Sequence, residues 1–109
     1  MLERKITLGL GFGGDIIMYV ILVYDILADD EGAKVTRNTF KICKKYLTHV
    51  QKSVFEGNLT ELNYMKLKAE LNRWIRKDKD SIIVFKSRNE RWLDKEFLGL
   101  IDDKTSNFF

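Results

Sequence analysis

Three stretches of the chain have hydrophobic patterns that predict β-strands. Residues 18–26, MYVILVYDI, form a nearly continuous apolar run, which is typical of a strand in the centre of a sheet. Residues 81–86, SIIVFK, form a second clear strand near the other end of the chain. Residues 49–59 are β-prone but too long and too punctuated for one strand. They predict a hairpin or a sharply bent pair, with Gly57 relieving the backbone at the bend.

Two helices are predicted between these strands. The first is expected over residues 36–47, where one side of the helix is apolar: Phe40, Cys43 and Leu47. The second follows Thr60, a suitable N-cap, and is expected to run to about Arg76 with this apolar stripe: Leu67, Leu71, Trp74 and Ile75. The order βαββαβ predicts an α+β, ferredoxin-like fold, in which an antiparallel sheet has two helices on one face.

The first 17 residues do not fit this pattern. Their glycines precede a strand instead of following one, which argues against a phosphate-binding loop. Their apolar stretch is interrupted and short for a signal peptide or a membrane span. We expect residues 1–17 to be a translated leader and Met18 to be the true start, because Gly13, Gly14 and Asp15 can be encoded by GGAGGTGAT, a bacterial ribosome-binding sequence. The nucleotide sequence and the mass of the native first residue would test this.

Length and composition predict one globular domain over residues 18–86. The chain has 109 residues, of which 45% are hydrophobic and none is proline. One cysteine, Cys43, excludes an internal disulfide and fits a small core residue in a reducing cytoplasm. The only histidine, His49, lacks the partners of a zinc site or a serine triad. The ordinary hydrolase templates are therefore absent from the sequence.

Residues 87–109 are too hydrophobic for a free tail. Their apolar cluster consists of Trp92, Leu93, Phe97, Leu98, Leu100 and Ile101. We expect this C-terminal segment to dock on its own protomer, on a dimer mate or on another protein, while residues 102–109 fray.

Positive charge is concentrated in one part of the chain, although the net charge is only +3. Residues 32–55 contain no acid, and four cations share one side of the first predicted helix: Arg37, Lys41, Lys44 and Lys45. Such a stripe is either a solvated surface or a site for a polyanion, of which nucleic-acid phosphate is the natural candidate.

Asp25 is a lone acid near the end of the most apolar strand. It has two interpretations on its residues alone. An aspartate can end a strand by accepting bonds from nearby backbone donors. A carboxylate on a rigid element can also be a hard oxygen ligand for magnesium or manganese. Both interpretations remain open at this point.

Four segments together resemble the CRISPR-associated protein two family, the small subunit of the spacer-acquisition complex: MYVILVYDI, RNTFKICKKYLT, HVQKSVFEGNLTE and KDSIIVF. The resemblance covers residues 18–85. It implies a homodimer in which the open faces of two sheets meet and Asp25 of each protomer shares one magnesium or manganese ion. It also implies a metal-dependent endonuclease that acts on single-stranded RNA or on DNA. Three residues of the SVFEG block are candidates to support the site: Ser53, Phe55 and Glu56.

Two other functions remain open. The protein can be a purely architectural adapter, which holds a DNA duplex by its phosphates through the basic helix while a larger integrase subunit performs the joining chemistry. It can also be a ribonuclease toxin on the same fold, resembling the virulence-associated D family and acting alone. For each of these functions we expect the protein to be cytoplasmic and to have no membrane partner.

Overall fold

The computed structural model describes residues 17–88 together with residues 96, 98 and 99. Its elements in chain order are these: β1 Ile17–Asp25, α1 Gly32–Tyr46, β2 Thr48–Gln51, β3 Val54–Thr60, α2 Glu61–Leu71 and β4 Ser81–Ser87. This is the predicted βαββαβ order, and the α+β, ferredoxin-like fold is confirmed. Residues 1–16 of the predicted leader, and nearly all of the C-terminal segment, lie outside the described residues.

The most apolar strand is central in the sheet. The four strands have the order β2-β3-β1-β4, and β1 pairs antiparallel with β3 on one side and with β4 on the other. Ile21 of β1 lies opposite Glu56 of β3 and opposite Phe85 of β4. One face of β1 packs in the core and its other face also carries apolar side chains, which explains the nearly continuous apolar run.

The helices cover one face of the sheet and enclose the core. Val20 and Leu22 of β1, Phe55 of β3 and Leu67 of α2 are completely buried there. Cys43 of α1 is also completely buried, and burial raises the pKa of its thiol to about 12. The expected role of Cys43 as an unreactive core residue agrees with this environment.

On the opposite face, which we call the open face, no helix of the described residues packs against the sheet, and several apolar side chains lie there. Because side chains alternate between the faces of a strand, Ile17 and Val23 of β1 lie on the same face as Ile83 and Phe85 of β4. Ile17, Ile83 and Phe85 are each about half exposed, at 54%, 54% and 51%. Large apolar side chains clustered in this way indicate an interaction surface.

The hairpin is confirmed, but its bend is not at Gly57. The chain turns at Lys52 and Ser53, where Lys52 has a positive φ of 47°. Gly57 lies within β3, where a Cβ atom would stand 3.1 Å from Cδ2 of Leu47. The glycine is therefore explained by the close approach of the Leu47 side chain.

Both helices are displaced from their predicted ends. α1 begins at Gly32 and not at residue 36, because Gly32 N–H donates to the Asp29 carbonyl and Val35 N–H to the Glu31 carbonyl. α2 begins after Thr60, whose hydroxyl accepts from Asn63 N–H as predicted. It ends at Leu71 and not at Arg76. Neither of these helices, which are those of the described residues, has the length and apolar character needed to cross a membrane.

Candidate metal site and nucleic-acid surface

Asp25 is the last residue of β1 and lies opposite Ser81, the first residue of β4. The preceding Tyr24 points into the core, so the side chain of Asp25 lies on the open face, where it is exposed. Within the described residues its carboxylate has no ion pair and no hydrogen bond. This environment does not support the interpretation as a strand-ending cap, and it leaves both oxygens available to a cation or to water.

The chain that follows Asp25 is held by a cluster of charged residues that we call the clamp: Asp29, Arg76 and Asp80. The side chain of Asp80 is inaccessible to solvent and accepts from Leu27 N–H at 2.9 Å. Arg76 Nε donates to Asp80 Oδ2 at 2.9 Å, and its Nη1 donates to Asp29 Oδ1 at 2.5 Å. Lys79 Nζ completes the group with Asp29 Oδ2 at 3.2 Å.

The clamp keeps both of its carboxylates ionised. Hydrogen bonds from Arg76 hold the pKa of Asp80 far below its usual value, although burial acts in the opposite direction. The hydrogen bond from Arg76 is also the main reason that the pKa of Asp29 is lowered to about 2. Asp29 and Asp80 are therefore both bound to Arg76 by charge-assisted hydrogen bonds at neutral pH, whereas Asp25 is not bound to it.

The donor set of one chain fits half of a magnesium site. The described residues hold no group of three or more side chains suited to a metal ion. Of the aspartates Asp25, Asp29 and Asp80, which the structure describes near the end of β1 and the start of β4, the last two are bound to Arg76, and Asp25 has the free carboxylate. Magnesium keeps much of its hydration shell and is often held by only one or two carboxylates. A second Asp25 from a dimer mate would therefore complete an adequate set.

Of the four cations on the basic side of α1, three are free of carboxylate partners among the described residues and one is paired. Arg37, Lys41 and Lys44 are exposed, and none of the three has a carboxylate partner within the part of the chain that the structure describes. Lys45 instead forms an ion pair with Glu70 of α2, to which Tyr46 also donates its hydroxyl. The hydrogen bond with Glu70 raises the pKa of Lys45.

The three residues of the SVFEG block have three different environments. The backbone carbonyl of Ser53 accepts from Tyr24 N–H at 3.2 Å, so it lies beside the end of β1. Phe55 is completely buried and stacks among aromatic rings on the helix-covered face, with its ring centroid 6.1 Å from that of Tyr24. Glu56 is buried and lies opposite Ile21, four residues before the end of β1. Its carboxylate accepts a hydrogen bond from the hydroxyl of Tyr19. Phe55 and Glu56 are therefore not placed to support Asp25.

The sequence interpretation missed the clamp. In the sequence Arg76 is only the expected end of a helix, and Asp29 and Asp80 have no predicted role. One signal was present: Asp80 directly precedes β4 in a segment of alternating charges, KDKD. Nothing in that segment indicates that Arg76 also reaches Asp29, 47 residues away.

The fold and the site define a small ferredoxin-like protein with an exposed acid at the end of its central strand and a basic helix. Residues 18–95 match the model of the family described as CRISPR associated protein Cas2. The chain belongs to this family, and the resemblance found in the sequence is confirmed.

Relatives and a solved structure agree with the family match. The CRISPR-associated endoribonuclease Cas2 of Fusobacterium nucleatum subsp. nucleatum is 57% identical over 96 residues, covering 88% of this chain and 90% of the relative. The protein of that name from Methanosarcina acetivorans is 37% identical over 90 residues, covering 83% and 98%. The crystal structure of Streptococcus pyogenes Cas2 at pH 6.5 has a TM-score of 0.64 and 32% identity, covering 74% of this chain and 99% of that one.

Proposed function

We propose that this protein is a homodimeric, metal-dependent endonuclease of CRISPR spacer acquisition, which hydrolyses phosphodiesters of single-stranded RNA or of DNA in the cytoplasm. The proposal rests on the carboxylate of Asp25, which is exposed at the end of the central strand and has no partner among the described residues. The names of the two relatives, both called endoribonucleases, support RNA as a substrate. Family membership favours this role over that of a solitary ribonuclease toxin.

The open face of the sheet supports the homodimer. Ile83 and Phe85 lie on the same face as Asp25, and both are about half exposed in the single chain. A twofold axis through this face buries the same apolar patch of both protomers. The two Asp25 residues then face one another, with each supplying one carboxylate to the shared ion.

Each group of this chain has a defined task in the proposed reaction. The two Asp25 carboxylates would hold magnesium or manganese, and the ion would supply polarisation of the scissile phosphate and a lower pKa for a water molecule. Arg37, Lys41 and Lys44 bind phosphates of the nucleic acid on either side of the scissile one, and these contacts contribute no sequence preference. The buried core beneath β1 keeps the strand end rigid, as such a site requires.

The substitution Asp25→Asn tests the proposal. We expect it to lower magnesium-dependent cleavage of single-stranded RNA at least about 100-fold, since the amide is a much poorer ligand. The dimer should persist, because asparagine has nearly the shape of aspartate and the apolar side chains of Ile83 and Phe85 are unchanged. The matched control is Asp30→Asn, which removes the same charge from an exposed position in the following loop.

A second function, the architectural adapter, is favoured by the exposed cations of α1. Arg37, Lys41 and Lys44 form a stripe of one sign on a helix that contains no acid. Such a stripe suits a DNA duplex held by its backbone. Spacer acquisition in cells that carry the integrase subunit separates the two functions. If Asp25→Asn dimerises, loses cleavage and still supports acquisition, the protein acts there as an adapter.

A further inference from the structure

One guanidinium group connects the chain after Asp25 to the beginning of β4. Arg76 makes four side-chain hydrogen bonds. Nε and Nη2 donate to the two carboxylate oxygens of Asp80 at 2.9 and 3.0 Å. Nη2 also donates to the Leu27 carbonyl at 3.0 Å, and Nη1 donates to Asp29 at 2.5 Å. Only the planar guanidinium group of arginine has enough N–H donors to bind both oxygens of Asp80 and to reach Asp29 and Leu27 at the same time.

The backbone of Leu27 is held at both of its polar groups. Its carbonyl accepts from Arg76, and its N–H donates to Asp80 Oδ1 at 2.9 Å. Leu27 follows Asp25 by two residues. Asp80 directly precedes Ser81, which is the residue opposite Asp25 in the sheet. The clamp therefore fastens both chains immediately beyond the last residue pair of β1 and β4.

Gly32, the first residue of α1, lies against the same segment. A Cβ atom at Gly32 would stand 2.2 Å from the Leu27 carbonyl oxygen, so the helix start and the segment after Asp25 are in direct backbone contact. The backbone of Leu27 thus lies against the start of α1 and is hydrogen-bonded to Arg76 and Asp80, although its own side chain is half exposed.

The position of Asp25 depends on this backbone. Its carboxylate makes no hydrogen bond among the described residues, so no side-chain partner orients it. Strand ends tend to open locally, and a site that shares a cation between two copies requires placement to within about 0.5 Å. A rigid backbone directly after Asp25 supplies that precision.

We propose that Arg76 is a positioning residue for the metal site: through Asp80, Asp29 and the Leu27 carbonyl it fixes the end of β1, so that two Asp25 carboxylates hold one cation between them. This inference rests on the proposed function. It goes further by assigning a role in metal affinity to a residue that does not touch the metal or the substrate.

The test uses the full-length dimer with Arg76→Lys, which keeps the positive charge but cannot reach Asp80, Asp29 and Leu27 together. The matched control is Arg73→Lys, which makes the same change at an exposed arginine in the turn after α2. The first measurement is a titration with manganese alone, followed by paramagnetic broadening of the backbone amide signals of residues 24–27. The second is the magnesium dependence of single-stranded RNA cleavage.

We expect Arg76→Lys to raise the half-saturating concentrations of manganese and magnesium about 10- to 100-fold, the usual cost of losing a group that orients a metal ligand. The KM for RNA should be unchanged, because Arg37, Lys41 and Lys44 are untouched. Arg73→Lys should behave like the wild type. Asp29→Asn removes one arm of the clamp and should shift both metal concentrations in the same direction by a smaller factor. It provides the test if Arg76→Lys does not fold.

A purely structural role predicts a different result. If Arg76→Lys and Asp29→Asn lower the melting temperature but leave the half-saturating metal concentrations unchanged, the inference is wrong. Asp25→Asn distinguishes this from failure of the proposed function. If Asp25→Asn abolishes the manganese broadening while the clamp variants do not alter it, only the inference fails. If Asp25→Asn leaves the broadening unchanged, the metal site and the inference are both wrong.

Discussion

Two aspartates at the same end of the β1–β4 pair have opposite environments. Asp25 is exposed and has no hydrogen bond among the described residues, whereas Asp80 is buried and accepts from both Arg76 and the backbone of Leu27. Arg76 strongly lowers the pKa of Asp80. The same side chain is thus a structural anion at one position and a free carboxylate at the other, because among the described residues only Asp80 has donors within reach.

Thr39 offers a test of packing at the scale of a single residue. Its side chain is completely buried in α1, and its hydroxyl has no hydrogen-bond partner among the residues that the structure describes. An unsatisfied buried hydroxyl is destabilising, and valine has the same shape without it. We expect Thr39→Val to raise the free energy of unfolding by about 1 kcal/mol, measured by urea denaturation.

An exposed threonine of the same helix serves as the control for this substitution. Thr36→Val makes the same chemical change where water already satisfies the hydroxyl, so the free energy of unfolding should stay within about 0.5 kcal/mol of the wild type. A decrease in stability for Thr39→Val would contradict the prediction and would show that the hydroxyl is satisfied in solution.

At the scale of secondary-structure elements, the contact between α1 and α2 also affects the proposed nucleic-acid surface. Glu70 of α2 receives a hydrogen bond from Lys45 and another from Tyr46, which together lower the pKa of Glu70. We expect Glu70→Gln to release Lys45 towards phosphate, and so to strengthen binding to a DNA duplex. The slope of log K against log salt should steepen by about one for each chain.

Glu61→Gln is the control for the freed lysine, because it removes an exposed acid from α2 that is not paired with Lys45. The difference between the two variants isolates Lys45 from the change in net charge. Equal salt slopes for both would show that Lys45 does not reach the DNA. Little stability should be lost in either variant, since exposed ion pairs contribute little.

At the scale of the whole molecule, the open face of the sheet predicts how two copies meet. Phe85 is 51% exposed there and lies opposite Ile21 of the central strand. We expect Phe85→Glu to weaken the dimer at least about tenfold, because the substitution occurs on both sides of a self-complementary patch. Light scattering over a dilution series measures the change, and metal-dependent cleavage should fall with the dimer.

The control for the dimer is Leu62→Glu, which changes an equally exposed apolar side chain of α2, 54% exposed, on the other side of the molecule. Its mass in solution should equal that of the wild type. If Leu62→Glu dissociates the dimer and Phe85→Glu does not, the interface lies on the helices and two Asp25 residues cannot share an ion.

The sequence predicted the order of elements well and their ends poorly. The apolar run of β1 and the cap at Thr60 depend on local periodicity and local hydrogen bonds, so both are visible in the chain. The start of α1 at Gly32 depends on a backbone contact with Leu27, and Gly57 is explained by Leu47 of another element. Contacts of this kind leave no periodic signal in a single sequence.

The candidate site also has one residue that the sequence could indicate and others that it could not. Asp25 could be singled out because a charge in an apolar strand is unusual in any sequence. The other members of the site could not be assigned, because Arg76 and Asp29 are 47 residues apart and meet only when β4 returns beside β1. The sequence groups Lys45 with three cations that have no carboxylate partner among the described residues. Helical spacing shows which residues share a side of a helix, and it does not show that Glu70 of α2 lies opposite Lys45.

The sequence by itself therefore determined the fold class, the family and the acid on which the proposed chemistry depends, since hydrophobic periodicity and the placement of a charge are properties of the chain. Only the tertiary structure decided which charges are free and which are neutralised by partners. It joined Arg76 to both Asp29 and Asp80 and paired Lys45 with Glu70, whereas Asp25 has no partner in the part of the chain that the structure describes. The physical reason is that electrostatic and hydrogen-bond interactions depend on distance in space, which the chain acquires only when its strands and helices pack together.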